Sequence, residues 1–188
     1  MWRRLVLIVV LGSGLTGCRE RAIVEPPRST AHPASNTLRA DGVSFVYPGD
    51  WVRFDVQEPA SPQPPTGSAQ YVVGLDDLNN VTVVSSPVPS ASAGASIWSD
   101  QVKSQFSGTF EAQGMRVQSG PDEVVLAGQR GLRWRVVMPS GVGYILESTL
   151  AVVFNSNTEY FVRCQHTLAR RDEIDHGCEE VLVSLRVG

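Results

Sequence analysis

The chain has 188 residues, a length that suits one domain with a moderate hydrophobic core. Hydrophobic residues make up 42% of the sequence, as in ordinary globular proteins, so composition excludes neither a binding module nor an enzyme. The formal net charge of -3 argues against a protein that binds nucleic acid.

The N-terminus has the three parts of a secretory signal. Two arginines precede a continuous apolar run at residues 5–11, which is too short to span a membrane, and small residues follow. The sequence Leu-Thr-Gly-Cys ending at Cys18 resembles the lipobox of bacterial lipoproteins. This resemblance implies cleavage after residue 17 and a diacylglyceryl thioether on Cys18. An ordinary signal peptide with a chance cysteine is the alternative.

Residues 18–40 are predicted to be a tether, because they are rich in Pro, Ser and Thr and have no apolar periodicity. As a flexible coil this segment spans about 25 Å on average. Residues 1–17 are then a signal peptide and residues 41–188 a folded domain. Basic residues other than Lys103 are all arginine, which is typical of a GC-rich genome and favours an actinobacterial origin.

The domain is predicted to begin with a hairpin. Val43, Phe45 and Tyr47 alternate with other residues in a first strand, and residues 51–56 return as a second strand after a Pro-Gly-Asp turn. Two further strands, 70–74 and 81–85, flank a polar turn. Two Pro-rich loops, residues 57–67 and 86–96, are long enough to form a recognition edge.

The next segment changes to helical periodicity. Trp98, Val102, Phe106 and Phe110 recur at every fourth position and predict one face of a helix. Strands are then expected at the following positions, the last three forming an antiparallel meander: 115–118, 123–126, 132–138, 143–154 and 159–166.

The chain has three cysteines, and one lipidated cysteine together with one disulfide would account for all of them. Lipid on Cys18 leaves Cys164 and Cys178 as a pair, and a disulfide is permitted outside the membrane. Cys164 lies on the apolar face of the last strand, and Cys178 on the apolar stripe of a predicted final helix, so a bridge would join the two elements. A metal or redox pair is the alternative, although the spacing is not that of C-x-x-C.

The domain resembles the PsbP-like family, whose fold is shared with the Ran-binding Mog protein and with many actinobacterial envelope lipoproteins. Phe45, Pro48 and Trp51 match the Phe-x-x-Pro-x-x-Trp start of the family, and the long hairpin around Asn155 followed by a closing helix matches its end. The resemblance implies an α+β fold with a central antiparallel sheet flanked by helices, an α/β/α sandwich. It implies no catalytic residue and no cofactor.

No nucleophile elbow, phosphate loop, zinc-helix motif or dinucleotide fingerprint is present in the sequence. His166 and His176 flank the start of the last helix near acidic residues, so a weak metal site is conceivable, but solvated or capping side chains are the better interpretation. The turn at residues 76–80 has acidic and amide side chains, but lacks the glycine and distal glutamate of an EF-hand loop.

An arginine cluster is the candidate interaction surface. Arg133 and Arg135 lie on the strand face opposite the apolar face of Trp134, and Arg130 lies nearby in sequence. Guanidinium groups in this arrangement suit an anionic partner or a lipid headgroup. A polar outer face paired with neighbours such as Glu147 is the favoured interpretation.

Trp51 and a second tryptophan at position 98 raise the further possibility of a pocket, but aromatic residues at the starts of a hairpin and a helix are more often part of a core.

These features predict an exported lipoprotein, anchored through Cys18 to the outer face of the cell membrane. Its expected role is non-enzymatic: binding an envelope protein or helping a complex to assemble. The alternative is a carrier of a lipid or another small apolar ligand in a cavity between sheet and helix.

The anchor is tested by metabolic labelling with a fatty acid. We expect the wild-type chain to be labelled and to sediment with membranes, and Cys18→Ala to lose both properties, since its side chain has no sulfur to acylate. A Cys18→Ala chain that is still labelled and still membrane-bound would rule out this anchor.

Overall fold

The computed structural model describes residues 34–55, 66–88, 100–139 and 143–188, which form a sheet-dominated α+β domain. The elements in chain order are β1 (Asn36–Ala40), β2 (Val43–Tyr47), β3 (Val52–Phe54), β4 (Ala69–Asp76), β5 (Asn79–Pro87), α1 (Asp100–Ala112), β6 (Arg116–Leu126), β7 (Gln129–Pro139), β8 (Ile145–Asn155), β9 (Thr158–Thr167), a 3-10 turn (Leu168–Arg170), α2 (Arg171–Ser184) and β10 (Arg186–Val187). Neither helix of these described ranges is long and apolar enough to cross a membrane.

Seven strands form the main sheet in the order β3-β4-β5-β9-β8-β7-β6, and all neighbours are antiparallel. Strands β6 to β9 follow one another as a meander, and β9 then pairs with β5. Strands β1, β2 and β10 form a separate small sheet in the order β1-β2-β10. The predicted central antiparallel sheet is therefore present, while the layers that cover it are only partly helical.

One face of the main sheet, which we call the α2 face, is covered by α2 together with the small sheet. Side chains of β5 and β9 on this face, such as Val83 and Val162, are almost completely buried among Phe45 of β2 and Ile174 of α2. The alternation predicted for β2 places every second side chain in this core. The flanking layer thus mixes a helix with strands.

The opposite face, the α1 face, has a second core beneath α1. Trp134 of β7 is 1% exposed and contacts both phenylalanines of the helix, with ring centroids 5.5 Å from Phe106 and 5.4 Å from Phe110. Its indole nitrogen donates a hydrogen bond to Ser107 Oγ at 3.2 Å. The predicted helix is confirmed in its described part, and Trp134 is a core residue as expected.

A disulfide joins Cys164 of β9 to Cys178 of α2, as predicted, with Cα atoms 5.8 Å apart. The preceding Gly177 is buried, and a Cβ atom there would collide with the ring of Trp51 and lie 3.0 Å from Pro48. Glycine in a helix interior lowers intrinsic helix stability by about 1 kcal/mol relative to alanine. Here its absence of a side chain lets the Trp51 ring pack directly against the helix backbone.

Three expectations about the strands differ from the structure. The predicted hairpin between β2 and β3 is wrong, because β3 pairs with β4 and β2 belongs to the small sheet. Asn36–Ala40, assigned to the tether from the sequence, forms β1 and pairs with β2. The two strands expected at 115–118 and 123–126 are one strand, β6, with register shifts in its middle.

The disulfide closes a loop with a sequence separation of 14 residues, for which chain-entropy reasoning predicts a stabilisation of about 3 kcal/mol. We expect the double variant Cys164→Ala/Cys178→Ala to lose about this much free energy of unfolding in urea denaturation. Reduced wild-type protein is the matched control and should behave like the variant. Equal stability of the oxidised wild type and the variant would contradict a stabilising bridge.

Candidate functional site

The three arginines predicted as an interaction surface do not form one cluster. Arg133 and Arg135 point to the α2 face, where Arg133 Nη1 lies 3.4 Å from Glu179 Oε1 of α2 and Arg135 is exposed. Arg130 instead contacts Glu123 at 2.9 Å, on the side where Lys103 of α1 also reaches Glu123. Hydrogen bonds from Arg130 and then Lys103 lower the pKa of Glu123.

Glu147, expected beside the arginine cluster, instead accepts hydrogen bonds at 2.6 Å from Arg171 at the start of α2. Hydrogen bonding to Glu147 raises the pKa of Arg171 further. Arg130 and Arg133 thus form ion pairs with carboxylates of this chain, which argues against a role of the two arginines in binding an external anion.

The acidic turn between β4 and β5 is a structural turn. Asp76 Oδ1 accepts hydrogen bonds at 2.9 Å from the backbone nitrogens of Leu78 and Asn79, and Asn79 Nδ2 donates to both oxygens of the same carboxylate. Among the described residues no group of three or more His, Cys, Asp or Glu side chains could hold a metal ion.

His166 differs from its expected solvated or capping role. Its side chain is 4% exposed, with Nε2 3.4 Å from Asp175 Oδ1 of α2 and Nδ1 3.2 Å from the carbonyl oxygen of Thr167. It therefore connects the end of β9 to α2. His176 is exposed on the same helix, as expected for a solvated residue.

Trp51 belongs to the core, with 3% exposure, as its position before a strand indicated. The other tryptophan considered for a pocket, at position 98, lies outside the described residues. Most of both Pro-rich loops also lies outside them, at 56–65 and 89–99.

An apolar patch is exposed where β8 begins and β9 ends. Tyr144, Ile145 and Leu168 are 55%, 56% and 60% exposed, respectively. Leu146 pairs with Thr167 at the end of the β8–β9 ladder, and Ile145 and Leu168 are the chain neighbours of these two paired residues. We call these three residues the strand-end patch.

Ion pairs border the strand-end patch. Arg171 binds Glu147 at 2.6 Å, and Arg170 binds Glu173 at 3.0 Å. An apolar centre with a charged, solvated rim is the usual anatomy of a surface that docks another protein. Because these charged side chains are already paired with each other, a protein bound at the patch would not need complementary charges to neutralise them.

The α1 face has a second unusual area, away from α1 on strands β5, β9 and β8. The register aligns Asn80, Gln165 and Ser148 in one cross-strand row and Thr82, Arg163 and Leu150 in the next. All of these side chains are buried except that of Arg163, which keeps partial exposure. Burial lowers the pKa of the Arg163 guanidinium.

Two residues before Arg163 in β9, the same face becomes apolar. Phe161 lies between Val84 of β5 and Val152 of β8, and the next row contains Glu159. Burial raises the pKa of Glu159 from 4.5 to about 6. This face therefore runs from a cationic polar band, through an apolar row, to a partly buried carboxyl.

The comparisons with known proteins support the fold. The chain is similar to the solution structure of cyanobacterial PsbP (CyanoP) from Synechocystis sp. PCC 6803, with 20% identity, a TM-score of 0.56, and coverage of 88% of this chain and 99% of that one. At these values the likeness establishes a PsbP-like fold and nothing about activity.

More distant solved structures include the Ran-binding protein Mog1p of Saccharomyces cerevisiae, at 9% identity and a TM-score of 0.48, covering 82% of this chain and 96% of that one. LpqN of Mycobacterium tuberculosis, described as involved in cell envelope biogenesis, has 11% identity and a TM-score of 0.47, covering 86% of this chain and 99% of that one. No family model and no curated protein sequence matches the chain.

Sequence reasoning missed both the strand-end patch and the setting of Arg163. The sequence contains one indication of the patch, since Ile145 at the start of β8 and Leu168 just after β9 are both apolar. Arg163 also left a signal, because this charged residue lies in the middle of a strand between two buried residues, Val162 and Cys164. Neither signal identifies a site until the register is known.

Glu159 makes the stability of the domain depend on pH. Because its pKa is raised on folding, the charged form is disfavoured in the folded state, and stability falls as the pH rises from 4.5 to about 6. We expect Glu159→Gln to increase the free energy of unfolding by about 2 kcal/mol at pH 7.5 and by little at pH 4. Urea denaturation at both pH values measures this difference.

Glu111→Gln is the matched control, because Glu111 is an exposed carboxylate of α1. The control should not change the difference in stability between the two pH values. A Glu159→Gln variant with the same pH dependence as the wild type would contradict the buried setting of this carboxyl.

Proposed function

We propose that the protein is a non-enzymatic module of the cell envelope that is anchored through lipid on Cys18 and binds another protein through the strand-end patch. The observation that carries the proposal is the exposure of Tyr144, Ile145 and Leu168 at one end of the sheet. Adjacent exposed apolar side chains of this size mark interaction sites more often than isolated ones do.

The rigidity of the elements below the patch supports this function. Ile145 begins β8 and Leu168 begins the 3-10 turn after β9, so both adjoin Leu146 and Thr167, the last pair of the β8–β9 ladder. Side chains on ordered strands lose less conformational freedom when a partner binds than side chains on a mobile loop. The patch is therefore suited to act as the centre of an interface.

The expected location supports a partner in the envelope. A lipid on Cys18 would be separated from the start of β1 by residues 19–35, which as a flexible coil would span about 23 Å and hold the domain close to the membrane surface. Two or three acyl chains would make such anchoring stable. A partner that is itself membrane-bound would then meet the patch at a high effective concentration, so moderate intrinsic affinity would suffice.

Site-specific photo-crosslinking in cells tests the proposal. A photoreactive amino acid at position 145 or 168 should crosslink to the same discrete envelope protein, because both positions face one partner. Val125, which is 73% exposed on β6, is the matched control position and should give no such product.

The double variant Ile145→Ser/Leu168→Ser should reduce recovery of that partner by at least about tenfold, as expected when central interface residues are lost. Its far-UV circular dichroism and unfolding midpoint should stay close to those of the wild type, since both side chains are exposed. Equal crosslinking from position 125, or full recovery with the double variant, would refute a partner site at the strand-end patch.

A further inference from the structure

Arg163 carries a charge for which the described residues provide no counter-ion. Its Nε atom is inaccessible to solvent and has no hydrogen-bond partner, and the guanidinium takes part in no ion pair within the described ranges. Glu159 is four residues away on the same strand, about 13 Å along it, and Phe161 lies between them. Within the part of the chain that the structure describes, the charge is therefore both largely buried and unpaired.

A buried charge without a partner is rare in proteins, because a guanidinium taken out of water must recover its hydration energy from hydrogen bonds and opposite charge. Even arginines of this domain that are more exposed have carboxylate partners, as Arg133 with Glu179 and Arg171 with Glu147 show. The setting of Arg163 is explained if its counter-ion arrives from outside the chain.

A second polar group near Arg163 also lacks a partner. Ser148 of β8 lies on the same face, diagonally across the β8–β9 ladder, and its buried Oγ has no hydrogen bond. A guanidinium offers a planar fork of donors that matches two oxygens of a carboxylate or phosphate, and a serine hydroxyl adds a third donor. The neighbouring Gln165 already donates to the carbonyl oxygen of Leu78.

The surroundings also indicate what should be attached to the anionic group. The next row on the same face consists of Val84, Phe161 and Val152, and the first two are only partly buried. Val152 and Phe161 already belong to the core of the α1 face, but a free inorganic anion would leave the exposed parts of Val84 and Phe161 in water. An apolar chain attached to the anionic group would cover the row and remove its surface from water.

We propose that Arg163 and Ser148 bind the anionic head group of an amphiphile, a carboxylate or a phosphate, whose apolar chain lies along Val84 and Phe161. The partial exposure of Arg163 provides access for the head group, while the inaccessible Nε lies deeper in the site. This inference is independent of protein binding at the strand-end patch. A fatty acid and a phospholipid are two sources of the same chemistry.

Titration calorimetry tests the site on residues 18–188 carrying Cys18→Ser, so that no acyl group of the protein competes. The probes are dodecanoate, dodecyl phosphate, dodecanol and inorganic phosphate, each below its micelle concentration. We expect the first two to bind, with the preferred head group identifying the source, and dodecanol to bind at least about tenfold more weakly because a charged hydrogen bond is lost.

Arg163→Gln should weaken dodecanoate binding by about tenfold or more. The matched control Arg135→Gln, an exposed arginine on the other face of the sheet, should leave the affinity unchanged. Equal affinity for dodecanol and dodecanoate, or no effect of Arg163→Gln, would overturn the proposal. Inorganic phosphate binding as tightly as the amphiphiles would also overturn it.

The ligand-free melting temperature separates loss of a site from loss of the fold. Removing an uncompensated buried charge should leave the melting temperature of Arg163→Gln equal to that of the wild type or a few degrees higher. Dodecanoate should raise the melting temperature of the wild type and of Arg135→Gln, but not of Arg163→Gln. A lower ligand-free melting temperature of Arg163→Gln would mean that the chain itself pairs this charge, which contradicts an external ligand.

Discussion

Helix α2 packs against the centre of the main sheet, and the Cys164–Cys178 bridge holds it there. The position of the small sheet depends on this contact. Ser184 Oγ at the end of α2 accepts a hydrogen bond from the backbone nitrogen of Val46 at 2.8 Å. Strand β10 follows α2 closely in the chain and pairs with β2. Trp51 packs against the helix backbone at Gly177, so the entry to β3 is also fixed by the same helix. Without α2 in place, none of these elements would have a stable surface to cover.

Periodicity in the sequence predicted part of the contact between α2 and the main sheet. Every second residue of a strand faces the same side, so the shared face of β9 followed from its alternation, and the stripe of α2 followed from its helical spacing. The separation of β2 and β3 into different sheets could not be predicted, because a turn can join two strands of one sheet or of two. β3 has three residues and β1 contains one buried residue, Leu38, so local pattern carries little information about either strand.

The candidate sites were harder to predict than the fold, because a site depends on neighbours from several strands. Arg133 and Arg163 look alike in sequence, each flanked by apolar residues within a strand. In the folded domain Arg133 faces Glu179 on α2, whereas Arg163 faces a cross-strand row that contains no carboxylate. Exposure of Ile145 likewise depends on where β8 begins relative to β9. Such differences arise from register, which alternation alone does not determine.

The polar band spans β5, β9 and β8, and the strand-end patch lies where β8 begins and β9 ends, so the two involve different side chains near the same β8–β9 ladder. Arg163 and Leu168 are five residues apart, about 17 Å along an extended chain, and they share no hydrogen-bond or ion-pair partner among the described residues. Substitutions at such separations usually have additive effects on free energy. The proposed ligand binding at Arg163 and the proposed protein binding at Leu168 should therefore be separable by mutation. A departure from additivity in the combined variant would show that the pairing of β8 with β9 transmits occupancy of one site to the other.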